Sequence, residues 1–260
     1  MNATFRLALA IAGLLLIAPR EASAQFDFAP KTAIQLLLDR QVARPGSTIT
    51  AGLKLTMPGK WHTYWRNPGE VGKATEINWQ LPPGISAGEI QWPVPHKSFS
   101  WDLGSYEYSG EVVLLVPLSI APSVPHGTLS LKAGLRWLEC ETDGACVPGS
   151  GSVSATLVIG DEEQSNSGEF AKWKNLIPSD TPPVKLTARW AGPANDEKRQ
   201  LILEWPTAAQ TNDFYAYHQG NDWQIAPQHK VVSTSDGTIT IEKTVSLYEG
   251  AWPTQIQGLV

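Results

Sequence analysis

The sequence predicts an all-β protein, arranged as two β-sandwiches in tandem, and three observations predict it. Short runs of alternating or β-branched apolar residues dominate the chain. Breakers such as Pro-Gly, Asp-Gly and Pro-Pro separate these runs about every eight to twelve residues, the spacing of sandwich strands. With 42% hydrophobic residues in 260, the chain can fill a real core, and its length suits one large domain or two smaller ones.

The elements follow in order. Arg6 supplies a positive n-region, Leu7 to Ala18 is a twelve-residue apolar stretch, and Ala22-Ser23-Ala24 is a small-x-small cleavage signal. A membrane span needs about twenty apolar residues, so 1–24 reads as a cleaved signal peptide and the mature chain begins near Gln25, outside the cytoplasm. Candidate strands are 32–38, 48–57, 76–80, 111–120, 128–139 and 152–159, which make a first domain of 25–159. The apolar run from Val112 to Ile120 contains Pro117 and reads as one of these strands. A polar stretch at 160–168, a short helical piece at 169–176, and then Pro178, Pro182 and Pro183 read as a linker over 160–183. Later strands at 184–191, 200–204, 224–233 and 238–245 give a second, smaller domain, 184–260. Its apolar ending, Gln257-Gly-Leu-Val260, reads either as a strand cut short or as the strand that closes the domain.

Charge narrows the function. The net charge is −5, and −6 without the leader, where 18 basic residues stand against 24 acidic ones. Charged residues are 17% of the chain, too few for a disordered acidic or basic tail to dominate. A negative body with no basic run speaks against nucleic acid and against an anionic membrane surface.

The segment from Trp137 to Pro148 carries the chemistry. Residues 131–140 alternate as a strand should, Asp143-Gly144 is a turn signal, and Cys146 opens the next strand. Five residues between Cys140 and Cys146 place the two opposite each other at a hairpin end, within disulfide reach. In an exported protein such a bond is first a structural staple. Its entropic contribution is small, since a seven-residue loop is worth about 2.4 kcal/mol in the chain-entropy model. A short exposed hairpin is also easy for a partner thiolate to reach. Glu139, Glu141 and Asp143 surround the pair in sequence with no basic neighbour, so local charge disfavours a thiolate. Staple and exchange site are both open on these residues.

The C-x5-C hairpin with its following Pro148 resembles the N-terminal periplasmic domain of the DsbD-type transmembrane disulfide reductases, in the two-sandwich form of the ScsB-like branch. Further matching stretches are WHTYWRNPG at 61–69, GEIQWPVPH at 88–96, YEYSGEV at 106–112 and FYAYHQG at 214–220. The resemblance implies immunoglobulin-like domains and a thiol:disulfide oxidoreductase that needs no cofactor. A membrane-embedded domain would reduce the pair, which then passes electrons to periplasmic thioredoxin-like partners. By position, Cys146 would attack the partner disulfide and Cys140 would resolve the mixed disulfide. Glu107 and Tyr108 match the family's cap loop, Tyr108 standing where an aromatic residue shields the pair. The sequence departs from the family in lacking an eight-helix membrane domain and a C-x-x-C thioredoxin domain. It reads either as the periplasmic portion of such a protein or as a standalone one.

Other readings compete. Eleven Trp in an exported β-sandwich raise a carbohydrate-binding module with a purely structural disulfide, with Trp61, Trp65, Trp92 and Trp101 as the stacking rings. That reading requires exposed, coplanar rings, whereas large aromatics mostly fill cores. A protein-binding sandwich differs from an electron shuttle only in the redox behaviour of one bond. His62, His96, His126, His218 and His229 show no paired ligand spacing, and Met57 is alone outside the leader, so no metal site is expected. The ScsB-like branch is linked to copper stress, which these residues do not show. Neither a Gly-x-Ser-x-Gly elbow nor a phosphate-cradling loop is present.

Overall fold

Alternation along each strand decides which side chains meet in the core of the computed structural model. It describes residues 30–100, 102–142, 144–161, 164, 165, 167–179, 185–207, 213–218 and 220–260. The expected signal peptide lies outside the described residues. The first strands are β1 (Ala33–Leu38), β2 (Arg40–Ala43), β3 (Thr48–Thr56), β4 (Trp61–Gly69), β5 (Glu76–Gln80) and β6 (Ile85–Ala87). They continue with β7 (His96–Ser100), β8 (Leu103–Ser109), β9 (Glu111–Ile120), β10 (Gly127–Glu141), β11 (Cys146–Ile159) and β12 (Gln164–Ser165). One sheet runs β1-β3-β9-β6; the other runs β12-β2-β11-β10-β4-β8-β7, with β5 also on β10. Leu53, Leu55, Leu114 and Leu118 from the first sheet and Leu131, Leu135, Trp65 and Tyr106 from the second are buried in one core. The prediction of an all-β sandwich holds.

The segment expected to be a linker is not a free connector. Strand β12 adds to β2, and helix α1 (Ser167–Lys174) buries Phe170 and Trp173 in the same core. Three residues apart, those rings share one helix face, and Gly52 on β3 leaves room for Phe170. The polar composition of 160–168 conceals this apolar pair, which lies just beyond it.

Beyond residue 185 a five-stranded sheet forms from β13 (Thr187–Trp190), β14 (Lys198–Pro206), β16 (Trp223–Ile225), β17 (Lys230–Ser235) and β18 (Thr238–Leu247). A two-stranded ribbon, β15 (Tyr215–Ala216) with β19 (Gly258–Leu259), accompanies it. The strand expected at 224–233 is two strands, β16 and β17, both paired to β18. Pro227, with no amide hydrogen to give a ladder, lies in the break. The ribbon joins the two regions: Tyr215 and Tyr217 pack on Trp65, Tyr215 also on Tyr106, and the Asn67 amide donates to the Ala216 carbonyl at 2.9 Å. Beneath it Asp213 pairs with the ammonium groups of Lys97 and Lys243, and His229 Nδ1 lies 3.2 Å from its carboxylate. Burial pushes the Lys243 ammonium down to about 8, against the pull of Asp213.

Candidate functional site

The β10–β11 hairpin is paired residue for residue from Gly127↔Ile159 to Cys140↔Cys146. At its tip the Glu141 amide donates to the Ala145 carbonyl at 3.0 Å, which makes the cysteines a non-hydrogen-bonded pair, the closer of the two antiparallel kinds. They form a disulfide with Cα atoms 4.0 Å apart. Trp137 braces the hairpin from below; its ring lies against Gly149, where any Cβ would collide with it.

Alternation separates two environments at this tip. Odd-numbered residues of β10 face the core and even-numbered ones face outward. Glu139 therefore does not surround the sulfurs, as its place in the sequence suggests, but points the other way and is fully buried. It accepts hydrogen bonds from the Lys31 and Thr32 amides and the Trp137 indole N–H. Burial alone would raise its carboxyl, but these donors hold it below the usual carboxylate range. Asp143 lies outside the described residues.

The two sulfurs differ in access: Cys140 is 3% exposed and Cys146 lies on the surface. Strand β4 runs beside β10 with His62 opposite Cys140, so His62 and Tyr64 share the outward face with that cysteine. The Tyr64 hydroxyl donates to Cys140 Sγ at 2.9 Å. Burial, helped by the Glu107 charge, pushes that hydroxyl up to about 12. His62 Nε2 lies 3.3 Å from the Tyr64 oxygen and 3.3 Å from Glu107 Oε2. His96 Nε2 stands 3.5 Å from the other Glu107 oxygen, and the Ser105 hydroxyl donates to Glu107 at 3.0 Å. Burial would raise Glu107, but its bond to His96, the charge of His62 and the Ser105 hydroxyl keep it below the usual range. His62 is pushed down by burial, more than Glu107 pulls it up.

Of the four residues singled out from sequence, Cys140 and Cys146 are joined, and Glu107 reaches the site through His62. The structure does not bring Tyr108 to the disulfide. Next to Glu107 on β8, it faces the opposite side of the sheet, buried in the core with its hydroxyl donating to the Pro93 carbonyl at 2.6 Å. The aromatic residue at the sulfur is Tyr64. The H-x-Y spacing of His62 and Tyr64 marks a shared strand face, but only the pairing of β4 with β10 shows which cysteine that face meets.

Gly72 covers Tyr64. Its φ is +106°, a region that L side chains avoid, and a Cβ there would enter the Tyr64 ring. Gly72→Ala is expected to cost about 1–3 kcal/mol of unfolding free energy from strain and overpacking, read by urea denaturation.

These shifts also fix an acid dependence. His62 has a folded pKa below its ordinary 6.5, so the unfolded chain binds a proton that the folded one does not. Its contribution to stability is present above about pH 6.5 and is lost as the pH falls through the folded value. Depressed Glu107 and Glu139 lose theirs further down, below the ordinary 4.5. Urea midpoints are therefore expected to fall from about pH 6.5 downward, with part of the first fall missing in His62→Gln and the rest carried by His229, which burial also holds below its ordinary value. A midpoint that rises on acidification would contradict these shifts.

Of the four tryptophans offered for sugar stacking, Trp65 is buried and Trp61 and Trp92 are half-buried; Trp101 lies outside the described residues. No group of three metal-ligating side chains is found among the described residues, nor is any helix there long and apolar enough to cross a membrane.

Residues 33–157 match the family model described as the N-terminal part of the thiol:disulfide interchange protein DsbD. Among solved structures, the N-terminal periplasmic domain of ScsB from Proteus mirabilis is similar, with a TM-score of 0.54 and 16% identity over 82% of this chain and 78% of that one. A protein of unknown function from Porphyromonas gingivalis W83 aligns at 12% identity over 84% and 83% of the two chains, with a TM-score of 0.28. No curated protein matches the sequence.

Proposed function

Because residues 33–157 belong to the family of the DsbD N-terminal domain, whose chemistry is thiol:disulfide interchange, we propose that this chain carries electrons between periplasmic proteins through Cys140 and Cys146. The observation that carries the reading is the unequal access of the two sulfurs. In the reduced pair the exposed Cys146 thiolate attacks a disulfide of a thioredoxin-like partner, forming a mixed disulfide and releasing one partner thiolate. Buried Cys140, held opposite it by the hairpin register, then attacks Cys146 Sγ. The second partner sulfur leaves as a thiolate, and the Cys140–Cys146 bond closes. Two electrons have passed to the partner. Reloading is the reverse: a donor thiolate attacks Cys146 and Cys140 departs. A membrane-embedded domain of the family's kind is the proposed donor, and residues 1–24 the proposed export signal.

The exposed acceptor sulfur and the family's chemistry favour this over a binding module with an inert staple. Prereduced protein mixed with an oxidised thioredoxin-like protein should lose two thiols for each pair that the partner gains, counted by alkylation and mass. If neither count moves over an hour, the shuttle reading fails.

A further inference from the structure

The exchange just proposed needs a proton at a sulfur that water does not reach. When a donor thiolate attacks Cys146 Sγ, a new S–S bond forms there, the Cys140–Cys146 bond breaks, and the electron pair goes to Cys140 Sγ. That sulfur is buried, and the Tyr64 hydroxyl already donates to it at 2.9 Å. Behind the hydroxyl, titratable groups lead outward in order: His62 Nε2 at 3.3 Å, then Glu107 at 3.3 Å from that same nitrogen, then His96 at 3.5 Å from the other carboxylate oxygen. His96 has 49% of its side chain in solvent. The chain crosses three adjacent strands, β4, β8 and β7, and joins the interior of the sheet to its edge.

We propose that Tyr64 gives its hydroxyl proton to Cys140 as the disulfide opens, and that His62, Glu107 and His96 return that proton from solvent. This rests on the exchange function above and adds the route of its proton. The balance closes. The phenolate left on Tyr64 takes the Nε2 proton of His62 in its imidazolium form, leaving neutral imidazole. Nε2 is refilled by a proton that passes from water through His96 and across the Glu107 carboxylate, so the corrected rate should rise as the pH falls. One proton enters at His96 and one arrives at Cys140. The atoms fit this use, since His62 Nε2 faces both Glu107 and Tyr64, while Nδ1 is buried without a hydrogen-bond partner and offers no second path. The titratable groups facing His62 are Tyr64 on its own strand, Cys140 on β10, Glu107 on β8 and, across Glu107, His96 on β7. Tyr64 touches the reacting sulfur and is a catalytic residue; His62, Glu107 and His96 act through it.

The test is the reduction of the oxidised full chain by dithiothreitol, quenched in acid and read by alkylation and mass. Corrected for the reductant's thiolate fraction, the rate constant should fall about 10- to 100-fold in Tyr64→Phe, which keeps the ring and removes the donor to a charged sulfur. Wild-type protein should show a solvent deuterium isotope effect of about 2 or more, and Tyr64→Phe one near 1. Glu107→Gln leaves Tyr64 in place and breaks the chain, so the corrected rate should lose its rise toward acid pH, with part restored in Glu107→Asp. A Tyr64→Phe rate within about twofold of wild type, equal isotope effects, or an unchanged pH profile in Glu107→Gln overturns the proposal. Failure of the exchange function looks different: the wild-type chain is reduced by dithiothreitol normally but passes nothing to a thioredoxin-like protein.

Discussion

Cys146→Ala is expected to abolish the proposed electron transfer, whereas Cys140→Ala is expected to stop it halfway with the partner attached. Both variants lose the Cys140–Cys146 bond, so a protein in which that bond is only a staple would respond to them alike. The unequal access of the sulfurs makes them differ. In Cys140→Ala the surface thiol at 146 still attacks a partner disulfide, but no second sulfur stands opposite it to release the adduct. A covalent complex accumulates, visible on a non-reducing gel and dispersed by dithiothreitol. In Cys146→Ala the remaining thiol is buried beneath Tyr64 and forms no adduct. Turnover in either variant should fall by a factor on the order of 10³ or more. Equal adduct yields from the two variants would remove the distinction between attacking and resolving sulfur.

The largest effect on stability should come from Glu139→Ala, at about 3–5 kcal/mol. Its carboxylate satisfies two backbone amides of the segment leading into β1 and the indole N–H that braces the hairpin. Truncation leaves three donors without their acceptor beside a cavity. Glu139→Gln keeps the volume but turns an amide NH2 toward a donor, so it should cost less, about 1–3 kcal/mol. Urea unfolding of the oxidised protein reads both. A change under 0.5 kcal/mol in the alanine variant, within the range of surface substitutions, would mean that the carboxylate anchors nothing.

Much of the first region could be read from the sequence because its strands obey one-sided burial. The strands 76–80 and 111–120 are found at their predicted ends, and the hairpin follows from the cysteine spacing and the Asp-Gly turn signal. Strand β4 escaped detection because Trp61–Gly69 is buried on both faces, which erases alternation, and because Pro68 argues against a strand. The site divides the same way. Cys140 and Cys146 sit close together in the chain, so their pairing is legible. His62 lies 78 residues before Cys140, and only the β4–β10 pairing brings them side by side. Resemblance to a cap loop points Tyr108 at the disulfide, but that stretch is strand paired to β4, and the period of two turns the ring inward.

The reduction potential of the Cys140–Cys146 pair tests the central claim most directly. It is obtained by equilibrating the protein with glutathione or dithiothreitol buffers and counting alkylated thiols by mass. A value between about −180 and −270 mV, among couples that exchange with thioredoxin-like proteins, is the result expected of an electron carrier. A value below about −300 mV would mark a structural bond and contradict the shuttle.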